Sequence, residues 1–192
     1  IGAHKLWTKE ELIAIDAFCA NHNAAVLCDK TSGYTGKYRI DYSLISAQIL
    51  YASSTARPDL LIHIGEVSGD TYTQNRLKPK ATWRVSMDGD IKDTFRNLDN
   101  VFDMSERCFF TYYATQNIDK TEEYLQVCQN EYTLIASKIP EVAFSNIWIA
   151  QIIADKIPAN SYVHLGIFNS LRSWNFTQLP SNVYSVCNVG GF

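Results

Sequence analysis

Four short apolar runs and a fifth strand-like one, three of the five closed by a polar, glycine-bearing loop and alternating with helical patterns, constrain this chain more than any other feature. They are Ala24 to Cys28, Leu60 to Gly65, Tyr162 to Leu165 and Val183 to Cys187, with Thr82 to Met87 as a further strand-like run between the second and third. Each is too short for a helix, and consecutive apolar residues imply burial on both faces, as in the middle of a parallel sheet. The loops that close them read Asp29-Lys-Thr-Ser-Gly33 onward to Gly36, Glu66-Val-Ser-Gly-Asp70 and Asp88-Gly89-Asp90. Strands alternating with helices predict an α/β fold: a three-layer, doubly wound, mainly parallel sheet of the Rossmann-like kind, with ligands beyond the strand carboxyl ends.

The helices are signalled separately. Thr8 with Glu11 three residues later is a capping-box pattern, and Leu12, Ile15, Ala17 and Cys19 mark an apolar stripe running to about Asn21. Helical spacing recurs over 41–51, up to the Arg57-Pro58 stop, and over 71–77, 105–113, 119–139, 146–157 and 166–176. A short strand-like run falls at Val101 to Asp103. Pro140 closes a helical connector, which divides the chain into a central α/β domain at 1–139 and the start of a second α/β domain at 140–192. The sequence stops at Gly190-Gly191-Phe192, directly after a strand that would ordinarily lead into its covering helix, so a truncated domain is expected there.

Composition removes several classes. The 192 residues are 46% hydrophobic and 19% charged with a net charge of -3, an ordinary globular balance without the basic footprint of a nucleic-acid partner. The apolar run at 146–153 falls well short of the roughly 20 residues that cross a bilayer, so no membrane partner and a cytoplasmic location are expected. Five cysteines without a C-x-x-C pair and four scattered histidines signal neither a disulfide framework nor a metal site. Cys28 and Cys187 are expected as small buried hydrophobes, and His63 and His164 as hydrogen-bonded histidines within buried strands.

No G-x-G-x-x-G, G-x-x-x-x-G-K-[ST] or G-x-S-x-G is present, which removes the common dinucleotide, P-loop and hydrolase signatures. The loops do carry Asp29, Lys30 and Arg39 near the first strand end, Glu66, Ser68 and Asp70 after the second, and Asp88 and Asp90 after the third. Such loops need turn formers and caps in any case, and Asp88-Gly-Asp90 reads as a surface turn before it reads as a magnesium site. Gly166-Ile-Phe-Asn-Ser-Leu-Arg172 follows a strand and enters a helix. That junction offers free N–H groups to an anion, with Asn169 and Ser170 as added donors and Arg172 as a clamp, or is simply capped by Asn169 or Ser170.

Taken in order, these segments resemble a known family. Val163-His-Leu-Gly-Ile-Phe-Asn-Ser-Leu-Arg172, Leu179-Pro180 and Val183-Tyr-Ser-Val-Cys-Asn-Val-Gly190 are similar to the opening of the diphosphate-binding domain of thiamine-diphosphate enzymes. The likeness is greatest to the menaquinone-pathway synthases that join 2-oxoglutarate to isochorismate, where G-N-S and a following arginine precede N-R-G-x-x-G-I-D-G. Upstream, Asp29-Lys-Thr-Ser-Gly33, Ile40-Asp-Tyr42, Arg57-Pro-Asp-Leu-Leu-Ile-His-Ile-Gly65 and Trp83-Arg-Val-Ser-Met-Asp88 resemble successive landmarks of that family's central domain.

The resemblance implies a 2-oxo acid decarboxylase or carboligase that uses thiamine diphosphate and Mg2+ when full length and assembles as a homodimer or homotetramer. Its partners would be a small 2-oxo acid and an acceptor. It implies that Gly166, Asn169 and Ser170 approach the cofactor, that Arg172, Asn188 and Ser68 approach substrate, and that no catalytic residue or metal ligand lies within these 192 residues. The segment alone is then expected to bind no cofactor and to be inactive. Two departures redirect the acceptor: Ser68-Gly69-Asp70-Thr71 stands where the family has a basic T-G-K-R-like run, and Val189 replaces the arginine of N-R-G. Fewer cations mean weaker charge-assisted binding of a polyanion, so an acceptor other than isochorismate is expected. A nucleotide such as FAD in the central domain, as in acetolactate synthase relatives, and a non-catalytic interaction domain are the alternatives.

Overall fold

A computed structural model describes residues 1–48, 57–66, 71–116, 118–180 and 182–188 of the chain. Helix α1 (Lys9–Asn21) opens with the capping box expected of Thr8 and Glu11: the Thr8 hydroxyl accepts from Glu11 N at 3.2 Å, and the Glu11 carboxylate accepts from Thr8 N at 2.9 Å. Ala14, Ile15 and Cys19 are buried and Leu12 is half-buried, whereas Ala17 of the expected stripe faces solvent. Thr8→Ala removes one acceptor from the exposed first turn. It should lower unfolding free energy by about 1 kcal/mol, read from urea denaturation.

Strand β1 (Val26–Cys28) is buried throughout and pairs in parallel with β2 (Arg39–Asp41). The sequence pattern missed β2 and assigned Asp41 to a helix. Three residues with two charges carry no recognisable alternation. Helix α2 (Tyr42–Ser46) is buried entirely and shorter than expected, residues 49–51 lying outside the described set. Next come β3 (Leu60–His63), α3 (Thr71–Arg76), β4 (Ala81–Ser86) and β5 (Leu98–Asp103), and the three strands form one parallel sheet in the order β3-β4-β5. Strand β5 begins three residues before the expected run at Val101, because Thr82 and Leu98 already pair ahead of a register shift.

Helix α4 (Glu106–Tyr113) is capped by the Ser105 hydroxyl, and α5 (Glu123–Ala136) is trimmed at both ends relative to the expected 119–139. Asp119 cannot join α5 because its backbone is engaged by α1's end: Asp119 N donates to Asn21 O at 2.7 Å and Asn23 N to Asp119 O at 2.9 Å. Beyond Pro140 lie α6 (Asn146–Ala154), β6 (Tyr162–Gly166), α7 (Asn169–Trp174) and β7 (Tyr184–Asn188), with β6 and β7 parallel. The architecture is therefore α/β, with parallel sheets flanked by helices in a Rossmann-like three-layer arrangement. No helix among the described residues is long and apolar enough to cross a membrane.

Buried apolar residues gather in two clusters. The larger joins α1, β1, α2, β4, α4 and α5, with Phe109 at the centre of an aromatic group: ring centroids lie 5.0 Å from Phe102, 4.6 Å from Tyr113, 5.2 Å from Phe110 and 6.4 Å from Trp83. The smaller consists of Ala150, Ala154, Leu165, Leu171 and Trp174. It covers only one face of β6, so the two-residue period buries Leu165 and leaves His164 exposed, correcting the buried position expected for that histidine. Cys28 is buried as expected and Cys187 is half-buried.

Among the described residues no named strand bridges β1 and β3. Residues 1–4 run along the seam instead: Ile1 N donates to Leu27 O at 2.7 Å, Gly2 N to Ile64 O at 3.0 Å and His4 N to Thr31 O at 3.2 Å, and Ala3 and Glu66 exchange two bonds. A side chain at position 2 would place its Cβ 1.9 Å from Glu66 O, so only glycine passes there. Successive connections leave the seam in opposite directions, to β2 on one side and to β4 and β5 on the other. It is thus the switch point between the β1-β2 and β3-β4-β5 sheets.

Candidate functional site

The loop after β1 is built around Asp29, whose Oδ1 accepts from Thr31 N and Thr31 Oγ1, both at 2.7 Å. This Asx turn aims Lys30 inward, where its Nζ meets Asp41 Oδ2 at 3.0 Å. Arg39 and Asp41 are two apart on β2 and so share a face; Arg39 Nε and Nη2 bond Asp41 Oδ1 at 3.0 and 2.6 Å. Arg39 also donates to the Tyr34 and Asp29 carbonyls. Lys30 and Asp41 are both buried. Burial alone would raise the Asp41 carboxyl, but Lys30 and Arg39 hold it below its ordinary value. Asp29, Lys30 and Arg39 were legible as candidates. Asp41, which ties Lys30 to Arg39, was not.

This network borders a cavity of about 440 Å³ lined on its far side by α5 and by Gln178, Leu179, Val183 and Ser185. The two parts of the chain meet there: Ser185 Oγ donates to Lys30 O, Ser43 Oγ to Asn175 Oδ1 at 3.0 Å, and Gln178 Nε2 to the Tyr132 hydroxyl at 2.9 Å. None of Gly166, Asn169, Ser170 or Arg172 lines it.

Those residues come together at the other end of β7. Gly166 and Asn188 are register partners at the carboxyl ends of β6 and β7, and Asn169 and Ser170 open α7 directly above. Gly166, Asn169 and Ser170 are all exposed, with Ser170 Oγ 3.6 Å from where a Cβ on Gly166 would sit. The capping expected of Asn169 or Ser170 is not what forms. Phe168 takes the N-cap position at φ 72°, ψ -112° and supplies no side-chain bond. A bulky residue at positive φ is strained, and with six residues α7 is short. Arg172 stacks over the Tyr72 ring at 5.2 Å and the Phe168 ring at 5.6 Å, and its buried Nε has no hydrogen-bond partner. Tyr72 is the second residue of α3, so Arg172 reaches the helix that follows the second polar loop. Ser68 in that loop lies outside the described residues.

At the switch point, Asp29 and His63 both line a small cavity of about 60 Å³ between the carboxyl ends of β1 and β3. Both are buried, and Asp29 Oδ2 and His63 Nδ1 lack hydrogen-bond partners. His63 is therefore buried as expected but not hydrogen-bonded at Nδ1; Phe95 meets its ring edge-on at 5.3 Å instead. Burial, then the nearby Ile1 ammonium, Arg84 and Lys92, push its pKa to about 3, so it is neutral at physiological pH. Arg84, 1% exposed, donates to Gly65 O at 2.6 Å, while Glu66 pairs with Lys92 at 2.8 Å. Asp88-Gly89-Asp90 is a surface turn: Asp88 Oδ1 accepts from Ser86 Oγ at 2.6 Å and Asp90 N at 3.1 Å, and Gly89 has φ +60°. No group of three His, Cys, Asp or Glu among the described residues is placed to hold a metal.

No family model matches the chain. Over 140 residues it is 28% identical to the 2-succinyl-5-enolpyruvyl-6-hydroxy-3-cyclohexene-1-carboxylate synthase of Bacteroides thetaiotaomicron, which covers 69% of this chain and 24% of that protein. The chain thus spans about a quarter of the length of the curated relative it matches. The relationship is distant and partial.

Proposed function

We propose that these residues are the central domain and the opening of the diphosphate-binding domain of a thiamine-diphosphate-dependent 2-oxo acid decarboxylase or carboligase. The observation that carries this reading is the 140-residue match to a carboxylate synthase. The meeting of Gly166, Asn169, Ser170 and Asn188 at one sheet end, where doubly wound folds take ligands, supports it.

The described residues do not fit the metal half of such a site. They contain no three-member ligand group, and Asp88 and Asp90 are engaged in their own turn and with Lys92. The reading therefore assigns Mg2+ and the diphosphate largely to other parts of the full protein and makes this segment inactive alone. When bound, thiamine diphosphate supplies the carbanion chemistry. The contribution of this chain is one wall: Gly166, Asn169 and Ser170 toward the cofactor, and Arg172, Asn188 and Ser68 toward substrate. Stacking between Tyr72 and Phe168 fixes the Arg172 guanidinium plane and leaves Nε available.

The acceptor is proposed to be a different, less anionic molecule than isochorismate, because Asp70 and Val189 stand where the family carries cations. A homodimeric or homotetrameric cytoplasmic enzyme completes the reading. The FAD alternative is weakened by the absence of a G-x-G-x-x-G fingerprint after the first strand.

The test is carbon dioxide release from a panel of 2-oxo acids by the full-length protein, with and without thiamine diphosphate and Mg2+. Cofactor-dependent release is expected, with none from the 192-residue chain alone. No release from any member would favour a non-catalytic interaction domain, and efficient condensation with isochorismate would overturn the acceptor assignment.

A further inference from the structure

Asp29 directly follows β1 and His63 ends β3, so the two side chains stand on opposite sides of the seam and line the cavity of about 60 Å³ between the strand ends. Asp29 is 5% and His63 7% exposed. Neither Asp29 Oδ2 nor His63 Nδ1 has a hydrogen-bond partner among the described residues. The other carboxylate oxygen is committed, because Oδ1 accepts from Thr31 N and Thr31 Oγ1, both at 2.7 Å. Burying two polar atoms without partners is costly, and folded proteins meet such groups with ordered water where a polar space is large enough.

The two atoms define what the space can hold. A carboxylate oxygen only accepts, so the occupant must donate. Burial first, and then the nearby cations, keep His63 neutral, which opposes a positively charged occupant against its ring. Nδ1 of a neutral imidazole donates in one tautomer and accepts in the other, and water suits both. A volume of about 60 Å³ exceeds the roughly 10–15 Å³ that one water needs and, at about 30 Å³ per molecule in the liquid, corresponds to about two. Gln74 and Thr94 line the same space and bring further polar side chains to it, while Leu77 and Phe95 wall it with apolar surface.

We propose that this cavity is an internal hydration site, in which one or two waters bridge Asp29 Oδ2 to His63 Nδ1 and so join the ends of β1 and β3 through side chains. The water at Asp29 donates to Oδ2, and the bridge reaches Nδ1 as donor or acceptor according to the tautomer. It also anchors the Asx turn: with Thr31 on one oxygen and water on the other, the carboxylate that aims Lys30 at Asp41 is held from both sides. The assignment does not depend on the proposed activity.

The test is a high-resolution crystal structure of the full-length protein, with oxygen-17 relaxation dispersion to count long-lived internal waters in solution. Water density is expected about 2.5–3.0 Å from Asp29 Oδ2 and, for that water or a second one bonded to it, about 2.7–3.2 Å from His63 Nδ1. His63→Phe keeps an aromatic ring and removes Nδ1, so it should carry about one or two fewer long-lived waters than the parent protein. A cavity without density, a direct bond between Asp29 and His63, or a protein side chain bonded to Oδ2 or Nδ1 overturns the proposal, as does an equal count of long-lived waters in parent and variant. Should the variant not fold, the crystal structure of the parent protein decides alone.

Discussion

Asp41→Asn should lower the unfolding free energy by about 3–5 kcal/mol, the usual consequence of removing one partner from a buried ion pair. The amide nearly preserves volume, so packing is unchanged. Lys30, 3.0 Å away and buried, and Arg39, bonded through two nitrogens, would then share a neutral group where a carboxylate stood. Urea denaturation at pH 7 measures the loss. The pH dependence gives an independent check with a defined sign. The Asp41 carboxyl is held below its ordinary value of about 3.9 in the folded chain, so the unfolded state binds more protons around that pH. Its contribution is fully present above the unfolded value and is lost as pH falls through the folded one. The variant should lack that part of the acid slope. A loss under about 1 kcal/mol at pH 7 would place the network in the class of surface pairs.

That network also marks where the sequence was readable and where it was not. Asp29, Lys30 and Arg39 could be picked out because a polar loop after an apolar run is a recognisable unit. Asp41 could not, since β2 has three residues and a two-residue period repeats only once within it. The seam of residues 1–4 left no signal either: its bonds are backbone to backbone, and only Gly2 answers to it in side-chain identity. Element order at the other site was legible, but the register that sets Gly166 beside Asn188 was not, because pairing depends on how far β7 slides along β6. Phe168 is the sharpest departure. Asn169 and Ser170 have the chemistry of caps, yet both lie inside the helix and an aromatic at positive φ stands in the capping position.

Phe109→Ala should lower the unfolding free energy by about 3–5 kcal/mol, the range for a buried aromatic whose cavity cannot fully collapse. Phe109 is 0% exposed, and its neighbours constrain collapse from three directions. Trp83 on β4 and Phe102 on β5 approach from the sheet, Tyr113 from one turn along α4, and Phe110 turns away to meet Phe18 of α1 at 5.2 Å. Rings fixed at such angles have little freedom to close a void, so the loss should fall toward the upper end, and near-UV circular dichroism of the Trp83 environment should weaken with it. Phe109→Leu retains most of the volume and should lose less than half as much. The effect should also be uneven in hydrogen exchange. Strands β4 and β5 touch the missing ring and should lose protection first, whereas β1 and β2 are held by α1, α2 and the Lys30–Asp41–Arg39 network and should open only with the whole chain. Equal loss on both sides of the seam would mean that residues 1–4 and the contact between α1 and α4 already bind the two halves into one cooperative unit.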